Sequence, residues 1–313
     1  MKTSDYDVQT AIFSTVVHYR KFTEALKVFN RLVEFCERSG KGQGFLLMGE
    51  SSNGKTVLAN EMCHQHPWIQ EEERVRIKVI MISMPANPTI RSFCMKLLDS
   101  FGRKYGERDT EAKLNQEVVT LLKNCGTVML IVDEAQHLID GNKINKTPAE
   151  VADWIKQLMN DSKVSVTLIG TPRVEVLLSS NSQLRSRFSR KIVLDGYSVQ
   201  TPNDKQLLCN TVGRLLQDSG YAGDASYIYD PTALDMLYYA TDGRLGYIAK
   251  LLAEAIWISQ SRGANDLTSN DFCEAFKTVV WFDAAPDENP FSGEFEPREL
   301  VNLGEPFYTG KLQ

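Results

Sequence analysis

Two short stretches hold residue types at the spacing that phosphoryl transfer requires. The first, Gly49-Glu-Ser-Ser-Asn-Gly54-Lys55-Thr56, follows a short apolar run and opens a helical pattern. Its spacing is that of a phosphate-binding loop, in the strand–turn–helix setting such a loop needs. Glycines let the backbone curl until its N–H groups converge on phosphate oxygens, and the helix N-terminus adds a positive dipole end. Lys55 is placed to reach the β and γ phosphates, and Thr56 to offer a hydroxyl to Mg²⁺. ATP and Mg²⁺ are therefore the expected cofactors. Gly49, Ser51, Ser52, Asn53, Gly54, Lys55, Thr56 and Val57 are the expected nucleotide-binding residues.

The second stretch is Val128-Met-Leu-Ile-Val-Asp133-Glu134. An acid at the carboxyl end of an apolar strand can hold Mg²⁺ through water, so Asp133 joins Thr56 as an expected metal residue. Glu134 is the expected group that polarises the attacking water, since this chemistry needs positioning more than covalent catalysis. Gln136 and His137 follow on the same turn. His137 reads first as a packed helix residue, with a sensing role as the alternative.

The surrounding pattern supplies elements that can position both stretches. Phe45–Met48, Arg76–Ser83, Val128–Val132, Val164–Ile169 and Ile192–Leu194 read as strands. Helical patterns fill the gaps near 55–65, 89–105, 109–124, 148–160 and 173–179. This alternation predicts an α/β fold, a P-loop NTPase whose parallel sheet is covered on both faces. After Asp195-Gly196 the pattern changes. Residues 202–217, 231–240, 245–261 and 268–279 read as helices with no strand between them, a small all-helical domain. The expected division is an N-terminal segment and helix over 1–40, an ATPase domain over 41–200, a helical lid over 201–280 and a tail over 281–313.

Composition excludes several classes. The chain has 313 residues, 42% apolar and 24% charged, as a soluble globular protein would. No run approaches the roughly 18 apolar residues of a membrane span. The N-terminus lacks an apolar signal core, so neither membrane nor secretion is expected. Six separated cysteines with no Cys-x-x-Cys fit a reduced cytoplasm better than a zinc knuckle or disulfide framework. The net charge of −5 sits in the tail from Trp281, where seven acids face two bases. Four of the eleven prolines and four isolated aromatics also fall there, so the tail is expected to be extended or disordered. Between Arg74 and Lys104, seven bases face Asp99 alone, a +6 segment in an otherwise neutral body.

These motifs, their spacing and the helical unit after them resemble the AAA+ ATPases. Within that class the chain is similar to the TniB/TnsC family of transposon target selectors. The resemblance runs over residues 15–280 and rests on 49–56, on Met-Leu-Ile-Val-Asp-Glu-Ala (129–135) and on Leu-Ile-Gly-Thr-Pro (168–172). It rests further on Gln-Leu-Arg-Ser-Arg-Phe (183–188) and Asp-Gly-Arg-Leu-Gly-Tyr-Ile (242–248). It implies that Thr171 is the sensor-one residue that reads the γ-phosphate, and that Arg187 is the arginine finger a neighbouring subunit inserts. Arg185 and Arg190 stand close enough to be alternatives. A finger in trans implies a ring or helical filament of identical subunits. The resemblance further implies that the helix over Pro88–Tyr105 meets duplex DNA, with Arg91, Lys96, Arg103 and Lys104 as backbone contacts. Lysine and arginine there would grip phosphates without reading bases. A transposase and a target-recognition protein are the implied partners, and ATP hydrolysis would control disassembly as a slow switch. One departure stands out: the sensor-two position, three residues after Gly243, holds Gly246, with Arg244 nearby. Two other readings stay open: a signalling or assembly ATPase, or a secretion-associated one, acting on protein partners without DNA.

Overall fold

The computed structural model describes residues 5–85, 88–140 and 147–310. It divides into two compact units, His18–Leu194, and Met1–Val17 with Asp195–Gln313. Of the tail's charges, Lys311 lies outside the described residues.

Among the described residues of the first unit, seven strands run β1 (Gly44–Gly49), β2 (Ile69–Gln70), β3 (Val75–Arg76), β4 (Val79–Ser83), β5 (Met129–Asp133), β6 (Ser165–Gly170) and β7 (Arg190–Leu194). Five form one sheet in the order β4-β5-β6-β1-β7, with every neighbouring pair parallel. Its three middle strands, β5, β6 and β1, are buried along their whole length, which explains their near-continuous apolar sequences. The order brings the carboxyl ends of β1, β5 and β6 side by side, so residues 49, 133 and 170 share one edge.

The helices of this unit end where local chemistry dictates. Arg20–Ser39 buries Phe22, Leu26, Phe29, Leu32 and Val33 and stops at Gly40 in the left-handed region. Ile90–Ser100 starts on a reciprocal cap between Thr89 and Ser92. The expected helix over 89–105 is thus shorter than its sequence pattern, and Arg103 and Lys104 lie in the irregular segment beyond it. The expected strand Arg76–Ser83 is also split. Arg76 pairs with Ile69 in a small antiparallel hairpin, and only Val79–Ser83 joins the main sheet. Between them the Ile77 amide donates to the Cys125 carbonyl at 2.8 Å, which bends the chain out of strand pairing.

The second unit is helical: Asp5–Ser14, Pro202–Ser219, Pro231–Thr241, Leu245–Ser261 and Ser269–Val279. Its composition departs from the expected division at both ends of the chain. Val8, Ile12 and Val17 pack in the core of this unit, so the N-terminal segment does not form one piece with the Arg20–Ser39 helix. The expected extended tail is also folded. Phe291, Leu300 and Phe307 are buried in the same core, with Phe291 stacked on Phe272 at 5.2 Å and Phe307 edge-on to Tyr247 at 5.3 Å. Apolar anchors at irregular spacing hold a segment that has almost no regular secondary structure of its own. Phe307 is only 2% exposed, and Phe307→Ala should lower the unfolding free energy by about 3–5 kcal/mol in chemical denaturation. A loss below about 1 kcal/mol would show that the tail is not part of this core.

Candidate functional site

The loop from Gly49 to Thr56 folds tightly between β1 and the helix Lys55–His64. Ser52 (φ 67°) and Gly54 (φ 79°) both take left-handed backbone, and only at Gly54 is this free of side-chain strain. Gly54 starts the helix and, as a glycine, offers no side chain to cap it. That is the arrangement an anionic phosphate can complete. Lys55 is 6% exposed, and its ammonium donates to the Glu50 carbonyl at 2.9 Å, which curls the side chain back over the loop. Asn53 is buried and points elsewhere. Its Nδ2 donates to the Leu194 carbonyl at 2.9 Å, fastening the loop to the end of β7. Among the predicted nucleotide residues, the Asn53 side chain is therefore a support of the loop. Val57 is 41% exposed on the following helix, an apolar face beside the loop.

The two sequence motifs meet at the ends of β1 and β5. The Thr56 hydroxyl donates to Asp133 Oδ2 at 2.8 Å, and the Glu134 amide donates to Asp133 Oδ1 at 2.9 Å. Burial pushes the Asp133 carboxyl above its usual range, while the Thr56 and Glu134 hydrogen bonds pull in the other direction. A cation at Asp133 would relieve that cost. Among the described residues no group of three or more His, Cys, Asp or Glu side chains gathers to hold a metal. Mg²⁺ is commonly held by one or two protein oxygens together with substrate phosphates and water. Thr56 and Asp133 are such a pair.

Glu134 has φ 54°, a left-handed conformation unusual for a residue other than glycine. Its carboxylate accepts a hydrogen bond from Gln136 Nε2, and Gln136 Oε1 accepts one from the Thr171 amide at 3.2 Å. Thr171 follows β6, the strand that lies between β1 and β5. Its hydroxyl is buried and has no hydrogen-bond partner among the described residues. A buried hydroxyl without a partner is rare and asks for one. Lys55, Thr56, Asp133, Glu134 and Thr171 thus converge on one sheet edge. Gln136 joins them, and the sequence offered only its place two residues after Glu134.

Of the remaining residues singled out in the sequence, Arg187 and Arg244 have partners of their own. Arg187, at the end of the short helix Ser182–Arg187, donates to Asn160 Oδ1 at 2.7 Å, whereas Arg185 and Arg190 are exposed. His137 begins a short helix and is half-buried. Arg244 caps the Leu245–Ser261 helix. Its guanidinium donates to Asp242 at 3.0 and 2.8 Å and lies 5.1 Å over the Phe307 ring.

The basic segment also sorts into two groups. Arg91 is half-buried and donates to the backbone carbonyls of Asp109 (3.3 Å) and Glu107 (2.7 Å), so it clamps the following loop. Lys96, Arg103 and Lys104 are exposed. Arg74, Arg76 and Lys78 are paired with Glu71 or Glu37.

Comparisons with known proteins agree with this architecture. A family model described as Bacterial TniB protein matches residues 10–197. No curated protein matches the chain. The fold is that of AAA+ P-loop ATPases, as seen in its likeness to solved structures. Cdc6p from Pyrobaculum aerophilum superposes with a TM-score of 0.64 at 14% identity, covering 89% of this chain and 73% of that one. The ORC2 protein of Aeropyrum pernix gives 0.60 at 14% identity, over 84% and 68%. The ORC1 protein of Aeropyrum pernix, solved in complex with DNA, gives 0.56 at 16% identity, over 87% and 67%. At these identities the likeness establishes the fold.

Proposed function

The chain belongs to the TniB family, and from that premise we propose that it is an ATP-hydrolysing switch that assembles on duplex DNA and regulates transposition. The observation that carries the reading is the convergence of Lys55, Thr56, Asp133, Glu134 and Thr171 at one edge of the parallel sheet.

The roles follow from the chemistry of each group. The N–H groups of the loop and the first turn of its helix bind the phosphates, and Lys55 neutralises the β and γ oxygens. The exposed Val57 offers apolar surface to the nucleoside. Mg²⁺, when bound at Thr56 and Asp133, supplies charge neutralisation to the phosphates. Glu134 orients the attacking water and accepts its proton. The Thr171 hydroxyl, without a hydrogen-bond partner among the described residues, donates to the γ-phosphate. Arg187 is the finger of this reading, with Arg185 and Arg190 its alternatives. A guanidinium suits the task because it is always charged and bidentate toward phosphate.

Binding of duplex DNA is assigned to Lys96, Arg103 and Lys104, the exposed members of the basic segment. Arg91, predicted alongside them, is assigned to holding the loop over 106–109. Contacts of this kind bind sequence-tolerantly and weaken with salt. Site choice and the cutting and joining of DNA then belong to a target-recognition protein and a transposase. The acidic tail region, with Phe282 and Leu303 largely exposed, is a candidate surface for such partners.

The DNA assignment has its own test. The triple replacement Lys96→Ala, Arg103→Ala, Lys104→Ala should weaken duplex binding about equally for all sequences. It should also flatten the slope of log affinity against log salt by roughly 2–3, about 0.9 per lost phosphate contact. Basal ATP hydrolysis should be unchanged. An unaltered salt slope would remove these residues from the DNA interface, whereas no duplex binding by the wild type would favour an ATPase acting on proteins alone.

A further inference from the structure

The hydrogen-bond bridge through Gln136 has no part in the roles above, yet it joins two of them. Gln136 is 8% exposed and lies between the Glu134 carboxylate and the Thr171 backbone. Its two contacts fix which end of the amide faces which neighbour. The Thr171 N–H can only donate, so it must meet the amide oxygen. An ionised carboxylate can only accept, so it must meet the amide nitrogen. The reversed amide would place like against like at both ends. The site for the side chain is also shaped. A Cβ on Gly170 would come within 2.4 Å of Gln136 Oε1 and 2.6 Å of Val174 Cγ2, so only glycine leaves room for the amide.

The backbone of Glu134 is already held. Its amide donates to Asp133 Oδ1, its carbonyl accepts from the His137 amide at 3.0 Å, and its φ is 54°. What remains free is the orientation of the carboxylate on its three side-chain torsions. Gln136 removes that freedom by engaging Oε2 and leaving Oε1 available to a water. We infer that Gln136 is a positioning residue. It locks the Glu134 carboxylate to the backbone of Thr171, so that the water-activating group and the hydroxyl facing the γ-phosphate keep one mutual geometry. The inference rests on the reading of Glu134 as the group that activates water, and it adds a residue for which that reading has no role. A misplacement of about 1 Å at such a group can cost on the order of 10²-fold in rate.

Two replacements at Gln136 separate its two contacts. Gln136→Leu keeps similar bulk and removes both hydrogen bonds. Gln136→Glu keeps an oxygen toward the Thr171 amide but sets a carboxylate against Glu134. Steady-state ATP hydrolysis and equilibrium titration with a fluorescent ATP analogue would be measured on both, with thermal unfolding as the folding control. Both variants should bind the analogue within about twofold of the wild type while kcat falls about 10–100-fold, a split that mere loosening of the fold does not produce. Gly170→Ala should copy the effect from the neighbouring strand. Glu134→Gln combined with Gln136→Leu should be no slower than Glu134→Gln alone, because both act on one step.

Wild-type or raised kcat in Gln136→Leu would overturn the inference. So would full activity in Gln136→Glu alone, which would leave Gln136 serving only the Thr171 backbone. Should Gln136→Leu lose folding or nucleotide binding, Gln136→Glu decides the matter on the same two readouts. Failure of the underlying reading looks different: Glu134→Gln would itself hydrolyse ATP at the wild-type rate.

Discussion

Lys55→Ala should reduce ATP hydrolysis by about 10²–10³-fold and weaken nucleotide binding with it, since it removes a preorganised charge from the phosphates. The ammonium is held where phosphate oxygens would replace its present partner, the Glu50 carbonyl 2.9 Å away. The charge acts from a buried position, where electrostatic interactions are screened less than in water. Because the proposed DNA-bound assembly depends on ATP, the same variant should lose ATP-dependent DNA binding and keep only the residual attraction of its exposed basic residues. Hydrolysis can be followed by phosphate release, and binding by a fluorescent ATP analogue. Unchanged values in both would show that the loop over 49–56 is a strand–helix junction and nothing more.

Glu134→Gln should act differently and about as strongly. Removing a general base lowers the chemical step by about 10²–10⁴-fold. The replacement is isosteric, and the N–H donor to Asp133 is the backbone amide of residue 134, so the Thr56–Asp133 pair should stay in place. Nucleotide binding should therefore persist. ATP would be bound and not consumed, and the DNA-bound assembly should outlive that of the wild type after free ATP is removed. Dissociation from a labelled duplex on dilution measures this directly. Dissociation at the wild-type rate, with hydrolysis blocked, would separate disassembly from hydrolysis and contradict the switch.

Much of the site could be read from residue types alone. Glycine, lysine and threonine in one loop, and an Asp-Glu pair closing an apolar strand, carry their chemistry in their identities. The convergence of these motifs could not be read so, because it depends on sheet order. β6 lies between β1 and β5 although it follows both in sequence, and no local pattern specifies that. Gln136 escaped for the same reason: its second partner is the Thr171 amide, 35 residues away.

The misread elements share a cause in long-range contacts. The tail looked extended because of its prolines, acids and isolated aromatics, yet Phe291, Leu300 and Phe307 each meet a core built by helices elsewhere in the chain. Arg91 differs from Lys96, Arg103 and Lys104 in that its guanidinium meets the carbonyls of Glu107 and Asp109, which its sequence position does not reveal. Arg76 read as the start of a strand until Ile69 paired with it in a separate hairpin. Arg244 stands near the sensor-two position at Gly246 in sequence. Its guanidinium is engaged by Asp242 and Phe307 within the helical unit.

The central claim is that ATP controls a DNA-bound assembly, and fluorescence anisotropy of a labelled random-sequence duplex tests it most directly. The wild-type protein would be titrated with ATP, with ADP and without nucleotide, each at two salt concentrations. The account predicts tight, cooperative binding with ATP alone, weakening steeply as salt rises. Equal binding in all three nucleotide states, or none in any of them, would contradict it.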